Sequence, residues 1–390
     1  MKMFKSLLTG IAFLALAALV VFFTLMPGLL EQQANKIAGD AGSEPDAASL
    51  ALHGTLVIAD LHADTTLWSR SLLGHADRGH VDIPRMLEGN IALQMFTAVT
   101  KSPKGQNYDT NSAESPDVIS LLALAQRWPI ETRDSLTARA LHQASRLEEA
   151  AQSSDSFMLV TSKGELNSLL AERARGTQII GGLLGTEGSH ALDGKLANID
   201  TLYEAGFRMM SLQHFFDNKL GGSLHGLSNA GLTFFGEQAV DKMVAKGIMI
   251  DVSHSSEQVV LDVLARTTVP LIVSHTGLKG HCDSKRNISD NTMRLVAERG
   301  GIIGVGFWDA AVCEESIDAI VGALRYGIDT FGLAHIALGS DWDGAITAPI
   351  DVANIARLTH GLVRAGFSKR EIRAVMGENI VAFFQAHLPD

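Results

Sequence analysis

Residues 247–277 read GIMIDVSHSSEQVVLDVLARTTVPLIVSHTG, and this stretch sets the pattern for most of the chain. It holds two short apolar runs, 248–252 and 270–274, whose length and composition suit strands buried on both faces. A helical pattern separates the two runs, so the stretch predicts a strand–helix–strand unit with parallel strands. Ser253-His254 follows the first run, and the second run ends in Ser274 and is followed by His275. These Ser-His pairs place His254 and His275 side by side at neighbouring strand ends.

The same alternation continues on both sides of this stretch. Helical patterns lie between the apolar runs, and Gly206, Gly247 and Gly300 follow three of them, as is typical of helix C-termini. Eight strand-like runs with interleaved helices predict an α/β fold, a (β/α)₈ TIM barrel. The runs are 55–60, 91–96, 179–185, 207–212, 248–252, 270–274, 302–307 and 335–339, and the clearest helical patterns are 198–205, 237–246, 258–265 and 291–299.

One segment, from 101 to 178, interrupts the alternation between the second and third runs. It begins as a loop and then carries three helical patterns, at 118–127, 136–151 and 163–174. We therefore expect a helical insertion in the barrel.

Side chains able to do chemistry stand at the C-terminal ends of six of the eight runs. A barrel gathers these strand ends on one face, and active sites lie on that face. We therefore expect the side chains to converge, although any one of them alone is more often structural. They are His62, Asp64, Glu187, His214, His254, His275 and Asp341.

Five of these residues are predicted to bind metal. His62 and Asp64 are two positions apart in an extended segment, so their side chains point the same way and can hold one cation. Glu187 has two carboxylate oxygens and can bridge a second cation, to which His254 and His275 would bind. Such a set suits two divalent ions about 3.5–4 Å apart, as in two-metal hydrolytic sites. Nitrogen with carboxylate oxygen fits zinc best, and manganese or cobalt are alternatives.

Composition excludes several classes of protein. The 390 residues include 32 Lys and Arg against 43 Asp and Glu, which gives a formal net charge of −11. A nucleic-acid-binding protein needs a basic surface, so no nucleic acid is expected as a partner. Only two cysteines are present, which excludes a disulfide scaffold or a Cys-rich zinc module.

The N-terminus predicts a membrane-spanning helix. Lys2 and Lys5 precede an almost wholly apolar run, 7–26, which is about the ~20 residues that a bilayer helix needs. The two lysines favour a cytoplasmic N-terminus and export of the rest of the chain. Residues 1–30 are thus predicted as a signal anchor, with a cleaved signal peptide and a secreted protein as the alternative.

The remainder divides into a short tether and the working domain. Residues 31–50 are polar and rich in Ala, Gly and Ser, so they are predicted to form a polar linker. Residues 51–390 are predicted to be the barrel domain, membrane-anchored and extracytoplasmic, either periplasmic or extracellular.

In these residues the chain resembles the membrane dipeptidase (renal dipeptidase) family of zinc peptidases, which are amidohydrolase-like TIM barrels. The resemblance extends in colinear order from about 55 to 386, and the most specific motifs are RN-x-x-D and GSDWDG beside the two Ser-His strand ends. The matching segments are DLHADTTLW (60–68), VDIPRMLEGN (81–90), GTEGSHAL (185–192), SLQHFFDN (211–218), GLTFFGEQAV (231–240), GIMIDVSHSS (247–256), PLIVSHTG (270–277), RNISDN (286–291), LGSDWDG (338–344) and GENIVAFF (377–384).

The resemblance implies a role for each matching residue. His62 and Asp64 would bind the first zinc, Glu187 would bridge, and His254 and His275 would bind the second. Three further residues would handle substrate: His214 would assist the substrate carbonyl, Arg286 would receive the C-terminal carboxylate, and Asp341 would move the proton. From the residues alone, Arg286 could instead pair with Asp290 at the surface, and Asp343 is a rival for Asp341.

The resemblance also implies a disulfide between Cys282 and Cys313, for which two free thiols are the alternative. The chain departs from the family pattern at Ala63, where the family usually has Asn, and at Ala310, where it often has Tyr. These departures concern contacts around the pocket, so the preferred dipeptide stays open.

The function implied is a binuclear zinc dipeptidase that hydrolyses dipeptides with a free C-terminal carboxylate through a metal-bridging hydroxide. One alternative is another amidohydrolase-type enzyme acting on a lactone, cyclic amide or phosphoester; many of these use a bridging lysine, which no strand end here provides. Another is an inactive, membrane-tethered binding module. The family also makes a homodimer possible.

Overall fold

Nine parallel strands form the main sheet of the computed structural model, which describes residues 2–390, and eight of them make up the barrel. The eight pair in chain order, and at least one helix separates each from the next. The strands are β1 (Lys36–Ile37), β2 (Ile58–Ala63), β3 (Ile91–Val99), β4 (Phe157–Leu159), β5 (Ile180–Glu187), β6 (Phe207–Ser211), β7 (Met249–Asp251), β8 (Ile272–Thr276), β9 (Ile302–Val305), β10 (Ile336–Leu338) and β11 (Thr347–Ala348). The central eight are all of these except β1, β4 and β11.

Helices surround the sheet, and side-chain caps fix where many of them begin. Ser256, for example, accepts a hydrogen bond from the backbone N–H of Val259. The helices are α1 (Lys2–Val20), α2 (Met26–Ala34), α3 (Ala47–His53), α4 (Ile83–Glu88), α5 (Val118–Ala125), α6 (Leu136–Ser153), α7 (Lys163–Ala174), α8 (Ala197–Glu204), α9 (Phe234–Lys246), α10 (Glu257–Arg266), α11 (Asp290–Glu298), α12 (Asp309–Val312), α13 (Ile317–Phe331), α14 (Ala356–Arg364), α15 (Lys369–Arg373) and α16 (Asn379–His387).

The first and last strands nearly close the sheet into a barrel. The backbone N–H of Asp64, just after β2, donates to the carbonyl oxygen of Trp342, just after β10, at 2.9 Å. Apolar side chains such as Leu93 and Ile272 fill the interior, and Phe384 of α16 packs against the same cluster. The predicted TIM-like α/β fold is confirmed, and its packed interior leaves the C-terminal strand ends as the place for a site.

Four strands run further than the sequence predicts: β2 extends to Ala63, β3 to Val99, β5 to Glu187 and β8 to Thr276. His62, Glu187 and His275 therefore lie within strands rather than beyond them. Backbone pairing between neighbouring strands continues past the apolar runs, with irregular register near His62 and near His275. Such irregularities re-aim side chains next to functional sites.

The predicted helical insertion between the second and third barrel strands consists of α5, α6 and α7. The sequence did not predict β4, a short strand between α6 and α7. β4 pairs in parallel with the beginning of β5, from Phe157 opposite Ile180.

The N-terminal helix continues from α1 through a π-helical turn, Val21–Leu25, into α2. It is long and apolar enough to cross a membrane and is exposed over its apolar part. The segment predicted to be a polar linker, 31–50, contacts the barrel in several places. β1 pairs with β11, and Ser49 of α3 bonds through its hydroxyl to His360 Nδ1 at 2.9 Å.

A buried ion cluster joins the end of α2 to the barrel. Glu31 is fully buried and pairs with both Arg70 and Arg78, and its Oε2 accepts from Arg78 Nε at 2.9 Å. Arg70 also pairs with Asp343, which follows β10. Because an unpaired buried charge is costly, these contacts hold α2 against the loop after β10.

We expect Glu31→Gln to destabilise the full-length chain by about 3 kcal/mol, because breaking a buried ion pair costs about 3–5 kcal/mol. Thermal unfolding of the detergent-solubilised chain measures this loss. Glu44→Gln is the matched control, since Glu44 pairs with Arg357 at an exposed position and should contribute at most about 1 kcal/mol. Equal effects of the two substitutions would contradict a structural role for the buried cluster.

Candidate functional site

The Glu187 carboxylate lies at the centre of four imidazoles. Its Oε1 is 3.1 Å from His254 Nε2, 3.4 Å from His275 Nε2 and 3.6 Å from His62 Nε2. Its Oε2 is 3.3 Å from His214 Nε2. Glu187 ends β5, while the histidines come from or directly follow β2, β6, β7 and β8, so the barrel brings the predicted residues together as expected.

Two further acidic groups lie on the His62 side of this cluster. Asp64 Oδ1 is 3.4 Å from His62 Nε2, and Asp341 Oδ1 is 3.9 Å from the same nitrogen. Thr97 Oγ1 donates to Asp64 Oδ1 at 2.6 Å and so fixes that carboxylate. Three sets of ligand atoms lie within 4.8 Å of one another: His62, Glu187 and His275; Glu187, His214 and His254; and His62, Asp64 and Asp341.

The electrostatics of the cluster favour bound cations. Burial raises the pKa of Glu187 well above its usual range, and Asp64 and Asp341 raise it further. Burial also raises the pKa of Asp341 to about 8. Three acidic groups thus share a buried space in which Arg286 is the nearby permanent cation, and divalent ions would supply the missing positive charge.

The nitrogen atoms give a second, independent indication of metal. His254 Nε2 and His275 Nε2 are only 2.9 Å apart, and His254 Nδ1 has no hydrogen-bond partner in the part of the chain that the structure describes. His62 Nε2 is buried and has no hydrogen-bond partner among the described residues. Nitrogen lone pairs that face one another and a carboxylate are the donor set of a zinc site, so the residues fit such a metal.

Ser274 lies beneath two of the imidazoles and determines which nitrogen of each ring carries a proton. Its Oγ donates to Asp251 Oδ2 at 2.7 Å and lies 2.9 Å from His62 Nδ1 and 3.0 Å from His275 Nδ1. A hydroxyl has one proton, and that of Ser274 is used in the hydrogen bond to Asp251. Both ring nitrogens must therefore donate their own protons to the Ser274 oxygen. When the rings are neutral, the Nε2 atoms of His62 and His275 therefore both present lone pairs to the cluster, as metal-binding histidines do.

Arg286 lies beside the cluster and is almost fully buried. Its guanidinium donates to the carbonyl oxygens of Ser253 at 3.2 Å and His275 at 3.0 Å, and burial lowers its pKa. Asp290, the alternative partner considered from the sequence, instead accepts from the backbone N–H of Gly280 and from the Tyr326 hydroxyl. Arg286 thus points towards the candidate site and not towards the surface.

The loop that carries Arg286 is tied to the loop after β9. Cys282 and Cys313 form a disulfide in the structure, with their Cα atoms 5.5 Å apart. Asn287 adds to this link, because its side-chain amide donates to the carbonyl oxygens of Cys282 and Ala311. These contacts hold Arg286 in position beside the metal-ligand candidates.

Asp341 and Asp343 occupy different environments although only one residue separates them. Asp341 lines the cavity over the cluster. Asp343 is fully buried and accepts hydrogen bonds from Arg70, from Thr65 Oγ1 and from the backbone N–H of His80. Burial alone would raise the pKa of Asp343, but Arg70 and His80 hold it well below its usual range. The carboxylate that faces the cavity is therefore that of Asp341.

A cavity of about 280 Å³ opens above the cluster. This is at the small end of ligand sites, which measure about 300–1,000 Å³. Apolar side chains form its walls, and its polar lining includes Asp64, Glu187, His214, His254, Asp341 and Arg286. The wall residues include Leu30, Ala34, Trp68, Val99, Val118, Ile119, Leu122, Phe215, Trp308 and Ile346.

Tyr108 also lines this cavity, although it was not predicted from the sequence. Its hydroxyl accepts a hydrogen bond from Trp308 Nε1 at 3.0 Å, and burial raises its pKa to about 12. Tyr108 lies in the irregular loop before α5, where no periodicity marks it. Ser274 and Asp251 were not predicted either, although the repeated Ser-His pairs were a usable signal for the serine.

The chain is similar in sequence to known proteins. A sequence model of the family described as Membrane dipeptidase (Peptidase family M19) matches residues 47–387. The protein named Dipeptidase 3 from Rattus norvegicus is 29% identical over 325 residues, which are 79% of this chain and 64% of that protein. The chain thus spans less than two thirds of the length of this relative.

Two solved structures share the fold. A metallo peptidase from Rhodobacter sphaeroides, liganded with a phosphinate mimic of the dipeptide L-Ala-D-Ala, is 22% identical with a TM-score of 0.67; the match covers 86% of this chain and 99% of that one. A probable dipeptidase from Pseudomonas aeruginosa is 17% identical with a TM-score of 0.71, over 87% and 97% of the two chains.

We expect Ser274→Ala to lower the affinity for divalent metal by about 10- to 100-fold, the usual effect of removing a partner of metal-binding histidines. Without the hydroxyl, the Nδ1–H groups of His62 and His275 lose their hydrogen-bond acceptor. Titration of the chelator-treated chain with zinc measures the affinity. Ser211→Ala is the control, because the buried Ser211 hydroxyl donates to Gln213 instead, and unchanged affinity in Ser274→Ala would refute the assignment.

Proposed function

The chain belongs to the membrane dipeptidase family, and on this premise we propose that it is a metal-dependent dipeptidase that cleaves dipeptides with a free C-terminal carboxylate. The observation that carries the proposal is the Glu187 carboxylate at the centre of four buried imidazoles, beside Asp64 and Asp341. A single buried carboxylate among so many lone-pair donors suits two cations that share it. The proposed metals are two zinc ions, with manganese or cobalt as substitutes.

The residues divide between the two cations as the family resemblance implies. His62 and Asp64 would hold one ion, His254 and His275 the other, and Glu187 both. When bound, the ions would supply a Lewis acid for the peptide carbonyl and would lower the pKa of water. A glutamate in this position argues against the alternative hydrolases that bridge their metals through a lysine.

Asp341 is proposed to move the proton. Its carboxylate lines the cavity and approaches His62 Nε2 with Oδ1, so it can take a proton from the attacking water. When the C–N bond breaks, the same carboxyl group can return that proton to the leaving amine. Burial keeps the pKa of Asp341 high, which favours its action as a proton carrier near neutral pH.

His214 is proposed to bind the carbonyl oxygen of the scissile bond. Burial lowers its pKa to about 4, so the ring is neutral at working pH and has a single N–H. That N–H reaches the substrate in the tautomer with the proton on Nε2, because Nδ1 faces the Lys101 carbonyl oxygen at 3.4 Å. His214 approaches Oε2 of Glu187 whereas His62 approaches Oε1, and both His214 and Asp341 line the cavity in which the peptide carbonyl would lie.

Arg286 is proposed to bind the C-terminal carboxylate of the substrate. Its guanidinium is permanently charged and its fork matches a carboxylate. Because Arg286 is fixed beside the metal-ligand candidates and the cavity is small, a substrate held there has room for about two residues. Tyr108 is proposed to contact the same substrate: it supplies a phenol from a loop other than the one in which the family often has tyrosine, where this chain has Ala310.

The N-terminal helix is proposed to be an uncleaved anchor with the barrel outside the cytoplasm. Its apolar part is exposed, its two lysines precede the apolar run, and Glu31 at its end is buried against the barrel. We retain residues 1–30 as the anchor and 51–390 as the catalytic domain, with the cleaved, secreted form as the alternative. A homodimer stays a prediction.

The full-length chain should contain stoichiometric zinc and hydrolyse a panel of dipeptides, and chelation should abolish the activity. Asp341→Asn should retain both metals yet lose about 10²- to 10⁴-fold in turnover, since a positioned proton carrier contributes about that factor. Metal analysis alongside initial rates separates the two effects. Asp283→Asn, an exposed carboxylate on the Arg286 loop, is the control. A metal-free chain, or a fully active Asp341→Asn, would refute the assignment.

Arg286→Met should raise KM for dipeptides by about 10- to 100-fold, because hydrogen bonds to charged groups are worth about 1.5–3 kcal/mol. Arg286→Lys should recover part of the loss. The amidated form of the same dipeptide should respond little to either substitution. Equal losses on the free and amidated substrates, with metal content unchanged, would contradict the carboxylate role of Arg286.

A further inference from the structure

The outer face of α5 is apolar and exposed. Val118, Leu121 and Leu124 are spaced three residues apart on one side of the helix and are 43%, 55% and 41% exposed. The other side, which includes Ile119 and Leu122, is buried in the cluster next to the active-site cavity. One side of the helix is covered by the protein core, but the apolar row on the other side is not. Such an exposed apolar row indicates contact with a second apolar environment.

This outer face begins beside the N-terminal helix. Leu124 and Phe23 line the same shallow cavity, and the Arg127 guanidinium lies 5.2 Å from the centre of the Phe23 ring. On its inner side, Ala34 of α2 packs against the cluster that contains Ile119 and Leu122. α5 therefore packs against the last turns of the anchor and lies close to the medium that surrounds those turns.

The length of the apolar run sets the depth at which α5 lies. About 20 helical residues, from 7 to 26, span about 30 Å, the thickness of the bilayer core. Phe23 falls in the last turn of that span, close to the boundary between acyl chains and headgroups. Leu124 lines the same cavity as Phe23, and the Arg127 guanidinium lies close to the Phe23 ring. Both residues would then lie at the same boundary.

We propose that the outer face of α5 is a second membrane contact, which inserts Leu121 and Leu124 among the lipids of the leaflet where the anchor emerges. This rests on the anchor in the proposed function. An apolar row beside basic groups is typical of helices that lie in the membrane interface, and Arg127 and Arg133 line the cavity next to this face.

The contact bears on how substrate reaches the site. Val118 and Leu30 both line the active-site cavity and are both exposed, so they form part of its rim. With α5 in the interface, this rim faces the lipid headgroups. The cavity would then open at the membrane surface.

The experiment uses the full-length chain in vesicles of phosphatidylcholine and phosphatidylglycerol. Leu121→Cys is labelled with an environment-sensitive fluorophore, since the native cysteines are joined to each other and do not react. Leu16→Cys marks the anchor, and Leu261→Cys, an exposed leucine on α10 across the barrel from β2, is the matched control. Quenching is measured with lipids that carry a nitroxide near the headgroup or deep in the acyl chain, and unchanged metal content verifies each variant.

We expect the label at 121 to lose most of its emission to the shallow nitroxide, the label at 16 to the deep one, and the label at 261 to neither. Quenching at 16 with none at 121 would overturn the α5 contact and leave the anchor standing. Absence of quenching at 16 would overturn the anchor and the contact together. Pyrene labels at 121 that form excimers and escape quenching would assign the face to a second copy of the chain, which also overturns the proposal.

Discussion

The structure depends on the placement of one buried carboxylate. Glu187 ends a strand inside a ring of imidazoles, and Asp64 and Asp341 lie close enough to raise its pKa well above the usual range. Buried like charges at this spacing require compensation by protonation or by cations. The barrel can tolerate the arrangement because its interior below the site is apolar and well packed, so that the strand ends are held rigidly.

Much of the surrounding structure holds these groups in place. Asp251 and Ser274 orient two imidazoles from below, Thr97 fixes Asp64, and the Cys282–Cys313 link restrains the loop of Arg286. None of these residues needs to contact a substrate. Together they leave the Nε2 lone pairs and carboxylate oxygens directed into a small cavity, which is the pre-organisation that a metal-dependent hydrolase requires.

The N-terminal segment is part of the same construction. Glu31 pairs with Arg70, Arg70 pairs with Asp343, and Asp343 is two residues from Asp341. The end of the anchor helix is thus coupled to the loop that carries the proposed proton carrier. Leu30 and Ala34 also line the cavity, so the helix that is proposed to hold the protein in the membrane shapes the entrance to the site.

Sequence alone was enough to predict the barrel, its helical insertion and the convergence of His62, Asp64, Glu187, His254 and His275, because apolar runs of fixed length mark strands and a barrel collects their ends. The residue pattern by itself could not choose between Asp341 and Asp343 or exclude a surface role for Arg286, for which the family resemblance was needed, and it did not identify Tyr108. Those outcomes depend on contacts between residues far apart in the chain, such as Arg70 with Asp343 and Trp308 with Tyr108. Local patterns record which residues share a face, whereas burial and long-range pairing are decided only when the chain has folded.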